Sequence, residues 1–313
     1  MKRFTASLLA SFILLSLCAC GNGSRQDKGG ADDSVLSFTD DLGRSVDVKS
    51  ADRVAALIGS FADIWCVAGG KDSLVAAAND AWTSFDLNLD DAVVNIGPVK
   101  TPDLEKIISS APDFVLCSCN TKADVELEDE FEKAGITAAY FDVENFDDYM
   151  RMLKICTDLT ENSENYTLYG ENNRETIEKA RAKADGTSPS VLYVRASGNS
   201  CSVKGSEGNL LGEMLKDLGC RNVADTEGAL LENLSMESIM AADPDFIFAV
   251  LQSADPEDAE KMLDATLLSN PAWQSLTAVR EGRFIILENS LYNLKPNAKW
   301  GEAYEKLADI IYG

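Results

Sequence analysis

Residues 104–116 and 236–248 carry one pattern twice. Leu104-Glu105-Lys106-Ile107-Ile108-Ser109-Ser110-Ala111-Pro112-Asp113-Phe114-Val115-Leu116 lies over Met236-Glu237-Ser238-Ile239-Met240-Ala241-Ala242-Asp243-Pro244-Asp245-Phe246-Ile247-Phe248 without a gap, with Glu, Ile, Pro, Asp and Phe coinciding. Each copy reads as a short helix halted before a proline, which has no N–H to continue the ladder. The apolar run that follows suits a parallel strand buried on both faces. The likeness extends upstream, where Ile64–Gly70 leading to Leu74-Val75-Ala76 matches Leu211–Gly219 leading to Asn222-Val223-Ala224, each a helix, a glycine stop and a strand. An αβ unit used twice predicts two α/β lobes with right-handed crossovers. With 313 residues, 45% of them hydrophobic, the chain can fill two cores.

The expected fold class is therefore α/β, two Rossmann-like lobes with mainly parallel sheets joined by one long backbone helix. The N-terminal lobe is set at residues 34–160, the connecting helix at 161–185 and the C-terminal lobe at 186–313. An open hairpin introduces the first lobe: Leu36–Thr39, a turn at Asp40–Gly43, then Ser45–Val48. Between the lobes a helical pattern through Met150, Leu153 and Ile155 breaks near Glu161-Asn162-Ser163. The helix predicted from Ser163 to Ala184 would be about 33 Å long, a rod able to brace both lobes. Near the C-terminus Trp300, Tyr304, Leu307 and Ile311 recur at helical spacing, a stripe read as core.

The first nineteen residues belong to neither lobe. Lys2 and Arg3 precede the apolar run Leu8 to Leu17, the layout of an export signal over residues 1–19. Leu17-Cys18-Ala19-Cys20-Gly21 resembles the lipobox at which bacterial lipoproteins are cut and acylated, which would make Cys20 a lipidated N-terminus and residues 20–33 a flexible tether. Buried methylenes contribute about 0.8 kcal/mol each, so two or three acyl chains would hold the body at a membrane. The expected location is the extracytoplasmic face of the cell membrane. Removing the signal deletes two bases and no acid, moving the net charge from -24 to -26. Such a surface excludes nucleic acid as a partner and is repelled by anionic headgroups, leaving the lipid as the means of attachment.

The chain contains no histidine, so Ser-His-Asp and Cys-His pairs and His-Glu-x-x-His are all absent, and no phosphate-binding Gly-Lys-Ser/Thr loop is present. No catalysis is expected. Zinc sites and haem pockets with a histidine axial ligand lose their usual donor as well. Cys66, Cys117, Cys119, Cys156, Cys201 and Cys220 lack the spacing of a disulfide framework and read as small buried hydrophobes. Cys117 and Cys119 share a strand face and leave a soft-metal site open as the weaker reading. Gly205-Ser206-Glu207-Gly208 precedes a predicted helix, where free amides could hold an anion.

Six segments in order, Asp40-Asp41-Leu42-Gly43-Arg44, Arg53-Val54-Ala55-Ala56-Leu57, the two repeat copies, Asn270-Pro271-Ala272-Trp273 and Lys295-Pro296-Asn297-Ala298-Lys299-Trp300, carry a resemblance across residues 37–313. The chain resembles the iron-siderophore, haem and vitamin B12 binding lipoproteins of ABC importers. That resemblance implies capture of a ferric siderophore, haem or cobalamin between the lobes and delivery to a membrane permease with its ATPase. It also implies no resident cofactor, any iron, haem or cobalt arriving within the transported ligand, and a monomeric receptor. In that family a glutamate on each lobe docks into permease arginines, and the matching positions are Glu105 and Glu237. An acid in a first helical turn also gains about 0.3–1 kcal/mol from the helix dipole with no partner. A surface sensor or adhesion lipoprotein without a transport role stays open as an alternative, and an enzyme on the same fold less readily so.

The C-terminal ends of strands in open α/β sheets present loops to ligands. On the first lobe this rule nominates Gly59-Ser60-Phe61, Asn79-Asp80-Ala81-Trp82, Gly97-Pro98-Val99-Lys100 and Ser118-Cys119-Asn120-Thr121. On the second it nominates Arg195-Ala196-Ser197, Lys204-Gly205-Ser206, Leu251-Gln252 and Asn289-Ser290-Leu291-Tyr292. Trp82 and Tyr292 are candidates for stacking on a planar ligand, and Arg195, Lys204 and Lys100 for pairing with anionic oxygens. Ser60 and Asn120 are the polar candidates. Arg195 leads, because it directly follows the apolar run Val191-Leu192-Tyr193-Val194.

Overall fold

A computed structural model describes residues 36–85, 87–226, 228, 231, 234–252 and 256–313. Cys20, the expected signal and the tether lie outside the described residues. Strands β1 (Leu36–Thr39) and β2 (Ser45–Val48) pair antiparallel across the expected turn. Five parallel strands follow in the first lobe: β3 (Val54–Ala56), β4 (Leu74–Ala77), β5 (Val94–Asn95), β6 (Phe114–Ser118) and β7 (Thr137–Phe141), in spatial order β5-β4-β3-β6-β7. The second lobe has its own sheet: β8 (Ser190–Ala196), β9 (Cys201–Lys204), β10 (Arg221–Asn222), β11 (Phe246–Leu251) and β12 (Phe284–Leu287). Its parallel order is β10-β8-β11-β12, and β9 folds back antiparallel on β8. Beside the β1-β2 hairpin, the described residues thus form two separate five-stranded sheets, mainly parallel, not one continuous sheet.

The helices of the first lobe are α1 (Gly59–Val67), α2 (Asp80–Thr83), α3 (Leu104–Ser109), α4 (Lys122–Glu126), α5 (Glu128–Ala134) and α6 (Phe146–Leu159). Next come α7 (Ser163–Tyr166) and α8 (Asn172–Arg181), then α9 (Leu210–Asp217), α10 (Met236–Ala242), α11 (Pro256–Leu263), α12 (Thr277–Arg280), α13 (Asn289–Tyr292) and α14 (Trp300–Tyr312). No helix among the described residues is long and apolar enough to cross a membrane.

The structure gives the repeat a physical reason. Both short helices, α3 and α10, end in a left-handed residue, Ala111 at φ 48° and Asp243 at φ 36°, directly before the proline. The aspartate that follows ties two strands together. Asp113 accepts the amide of Arg53 at 3.1 Å, and Asp245 accepts the amide and hydroxyl of Ser190 at 2.8 and 2.7 Å. Each anchors the start of its lobe's central strand, β3 or β8. The hairpin turn is fixed as firmly: Asp40 accepts from Arg44 Nη2 at 2.7 Å, Arg44 lies 4.4 Å over the Tyr140 ring, and Asp41 donates its amide to Tyr140 O at 2.9 Å.

Side chains alternate across the sheets. Ala55, Leu57, Val115, Cys117 and Tyr140 pack on the outer face of the first sheet; Leu192, Val194, Ile247 and Ala249 do so on the second. The opposite faces of both sheets join a single apolar cluster with α1, α6, α8, α9 and α14. Within it Phe146, Tyr149, Trp300 and Tyr304 make a chain of ring contacts, 5.8 Å from Phe146 to Trp300 and 6.4 Å from Trp300 to Tyr304. The C-terminal stripe is core, as its spacing implied.

Helix α14 lies against α8. Gly301 makes the approach possible, since a Cβ there would sit 2.8 Å from Asn173 Oδ1 and 2.9 Å from Thr176 Cβ. The connecting segment differs from a uniform rod to Ala184: a π turn at Thr167–Glu171 joins α7 to α8, and helix ends at Arg181. Asn297 then links the end of the chain to the first lobe. Its side-chain amide donates to Ser60 O at 2.9 Å and to Asp63 Oδ2 at 2.7 Å on α1.

Candidate functional site

A cavity of about 180 Å³ opens between the lobes, bordered by Asn120 and Glu144 on one side and by Tyr193, Arg195, Asn209 and Lys295 on the other. Asn120 follows β6 and donates to Asp142 Oδ1 at 2.7 Å. Arg195, next to last in β8, makes one long contact, 3.4 Å to Asn293 Oδ1. Lys295 has no hydrogen bond or ion pair among the described residues. Burial pulls its ammonium below the usual lysine range, against the opposing pull of Asp142, Glu144 and Asp148. Burial raises the Glu144 carboxyl, aided by Asp142 and opposed by Lys295. Across this space, acids on the first lobe face cations on the second.

Arg195, Gly208 and Asn209 also border a larger groove of about 920 Å³ on the second lobe, so the two spaces adjoin. Lys204 and Arg221 line the groove, and Lys216 there pairs with Glu207 at 3.0 Å. Burial lowers Lys204, and the nearby charge of Arg195 lowers it further.

The chain matches the family described as periplasmic binding protein over residues 54–291. It belongs to the periplasmic binding proteins. No curated protein matches it in sequence. Among solved structures, it is similar to the periplasmic haem-binding protein RhuT from Roseiflexus sp. RS-1, with 20% identity, a TM-score of 0.67, and coverage of 84% of this chain and 98% of that one. Staphylococcus aureus SirA complexed with staphyloferrin B gives 20% identity and a TM-score of 0.68, covering 88% of this chain and 97% of the other. The haem-binding protein HutB of Vibrio cholerae gives 18% and 0.67, covering 84% and 100%. These likenesses establish the two-lobed fold, and the family is one of extracytoplasmic binding proteins, not enzymes.

In this periplasmic binding protein Arg195 and Asn120 both reach the inter-lobe space, as the strand-end rule implied. Lys204 lines the groove instead of the cleft. The reason is strand direction: β9 is antiparallel, so Lys204 ends up opposite Tyr193, back from the C-terminal rim of β8. Tyr292 borders the inter-lobe cavity, as nominated, but does not offer an open ring face for stacking. It is 2% exposed, and its hydroxyl donates to Ala303 O at 3.0 Å, so its ring is held in the core beneath the cleft. Trp82 is half-buried in α2 and packs on the main apolar cluster, lining neither space. Ser60 is buried in the first turn of α1, and Lys100 stands exposed before α3.

At the anion candidate Gly205-Ser206-Glu207-Gly208 and the helix start after it, two amides are already engaged. Ser206 N donates to Asp225 Oδ1 at 2.9 Å and Gly212 N to Asn209 Oδ1 at 2.9 Å. Cys117 is fully buried, and no cluster of three or more metal-ligating residues exists among the described residues. Glu105 and Glu237 are exposed in the first turns of α3 and α10, capped by Asp103 and Ser235. In a parallel αβ unit the helix runs back along its strand, so both acids sit at the strand C-terminal edges.

Sequence reasoning missed Lys295, Glu144 and Asn209. Lys295 stood inside the motif Lys295–Trp300, and its signal was a lysine between apolar Leu294 and Pro296 just after a nominated loop. Glu144 lies beyond β7, whose end the strand rule had not been applied to.

Proposed function

We propose that this periplasmic binding protein is the solute receptor of an ABC importer, capturing a ferric siderophore, haem or cobalamin between its lobes. The observation that carries the reading is the inter-lobe cavity, where neither Arg195 nor Lys295 makes an ion pair among the described residues and the space continues into a 920 Å³ groove. Ligand pockets commonly run to about 300–1,000 Å³, a range the groove meets and the cleft alone does not. The haem-binding RhuT and HutB and the staphyloferrin-bound SirA have the same fold. The protein holds no cofactor of its own in this reading, and it acts as a monomer.

Attachment is through lipid on Cys20. Cys20→Ser releases the receptor from membranes and abolishes labelling by palmitate. Glu105 and Glu237 present one carboxylate from each lobe to permease arginines, so docking reports the distance between lobes and discriminates states only by its difference in free energy. Glu105→Lys and Glu237→Lys leave ligand affinity intact and cut uptake. If affinity falls with uptake, both residues serve folding and the docking role is wrong.

The receptor role is tested by native mass spectrometry and thermal unfolding with ferric siderophores, haem and cobalamin. One ligand per chain is expected, with a stabilisation of about 2.7 kcal/mol at a hundred times Kd. Silence across all three classes removes the assignment.

A further inference from the structure

The three ligand classes ask different things of a pocket. Haem needs apolar plates on both faces and an axial donor. Cobalamin and neutral hydroxamate chelates bring polar rims without a net negative charge, so they need no unpaired cations. A carboxylate chelate brings negative charge, and the wall that receives it must hold positive groups in reserve.

Such a reserve is present. The chain has 52 acids against 28 bases, and most cations described find a carboxylate: Arg44, Arg151, Arg181, Lys154, Lys183 and Lys306 are examples. Arg195 and Lys204 do not. Arg195 has only its 3.4 Å contact to Asn293, and Lys204 has no side-chain hydrogen bond or ion pair among the described residues. The register pairs Lys204 with Tyr193 and Ser202 with Arg195, so Lys204 and Arg195 are diagonal neighbours on one sheet face. Diagonal positions lie roughly 7–8 Å apart, close enough for one anionic limb to bridge the two heads. The acids of the groove are engaged elsewhere: Glu207 holds Lys216, and Asp225 holds the amide of Ser206.

The walls also argue against a flat apolar ligand. Among the described residues, Val203, Cys220 and Leu231 are the groove's only apolar side chains, and none of its lining residues is aromatic. The tyrosines beside the cleft, Tyr193 and Tyr292, are buried at 1% and 2% exposure.

We propose that the ligand is an anionic ferric chelate of the carboxylate class, with its charged limb in the second-lobe groove between Arg195 and Lys204. This rests on the receptor reading above and narrows it. The test titrates the full-length protein with four probes: the ferric complex of a dicitrate siderophore, ferrichrome as the neutral hydroxamate, haemin and cyanocobalamin. The carboxylate chelate binds one per chain, and R195Q and K204Q each weaken it at least tenfold. Raising salt from 50 to 500 mM weakens it in the wild type and less in either variant. The ligand-free melting temperature of both variants stays at the wild-type value, which separates lost contact from lost fold. Binding of ferrichrome, haemin or cyanocobalamin in place of the carboxylate chelate overturns the charge assignment and leaves the receptor reading standing. Unchanged affinity in both variants overturns the assignment too. Silence from all four probes overturns both.

Discussion

Asp124 should make the fold sensitive to pH near neutrality. Its side chain is fully buried in α4, with Oδ2 accepting the Ser118 amide at 2.8 Å and Oδ1 meeting no partner. Burial is the main cause of a carboxyl raised from 3.8 to about 7, opposed by the Ser118 bond and assisted by the charge of Asp80. An acid raised in the fold keeps its proton more tightly native than unfolded. Its contribution is therefore present at low pH and is lost as pH climbs from 3.8 through about 7. At 1.36 kcal/mol per unit, the loss between pH 5 and pH 8 comes to about 2.5 kcal/mol. Asp124→Asn keeps the acceptor for Ser118 and removes the titration. Urea unfolding of both proteins at pH 5 and pH 8 isolates the effect from the many other carboxylates, because only the difference between the two pH responses is read. The wild type should lose about 2.5 kcal/mol more than the variant over that interval. Parallel responses would refute the reasoning.

Other outcomes follow from the packing. Asn297→Ala removes both bonds to α1 and puts alanine, which tolerates the left-handed region less well than asparagine, at φ 48°, so urea unfolding should register a loss of about 2–4 kcal/mol. Gly301→Ala forces α14 away from Asn173 and Thr176, at a cost of about 1–3 kcal/mol; an unchanged midpoint would mean the helices yield freely. Cys117 and Cys156 are fully buried, and burial pushes both thiols up, so maleimide at pH 7.5 should modify neither in the native protein within minutes and should modify both in urea.

The elements most legible in the sequence were those set by local rules. The repeat fixed α3-β6 and α10-β11 because proline and an apolar run leave few options, and the hairpin matched its turn chemistry residue for residue. Strand direction was not legible: nothing local says that β9 turns back, and Lys204 moved with it from the cleft to the groove. Nor was depth. Tyr292 sits in a nominated loop, yet the partner that draws its hydroxyl inward, Ala303, lies on a helix the loop precedes. Lys295 and Glu144 gained their character only when two distant segments met.

Because one apolar cluster runs through both sheets, opening the jaws wide would expose oil to water. A receptor assembled this way cannot swallow its cargo by a large snap. Under the docking role proposed for Glu105 and Glu237, it would wait nearly shaped, tilt slightly on arrival, and pass that small tilt on through two acidic fingertips.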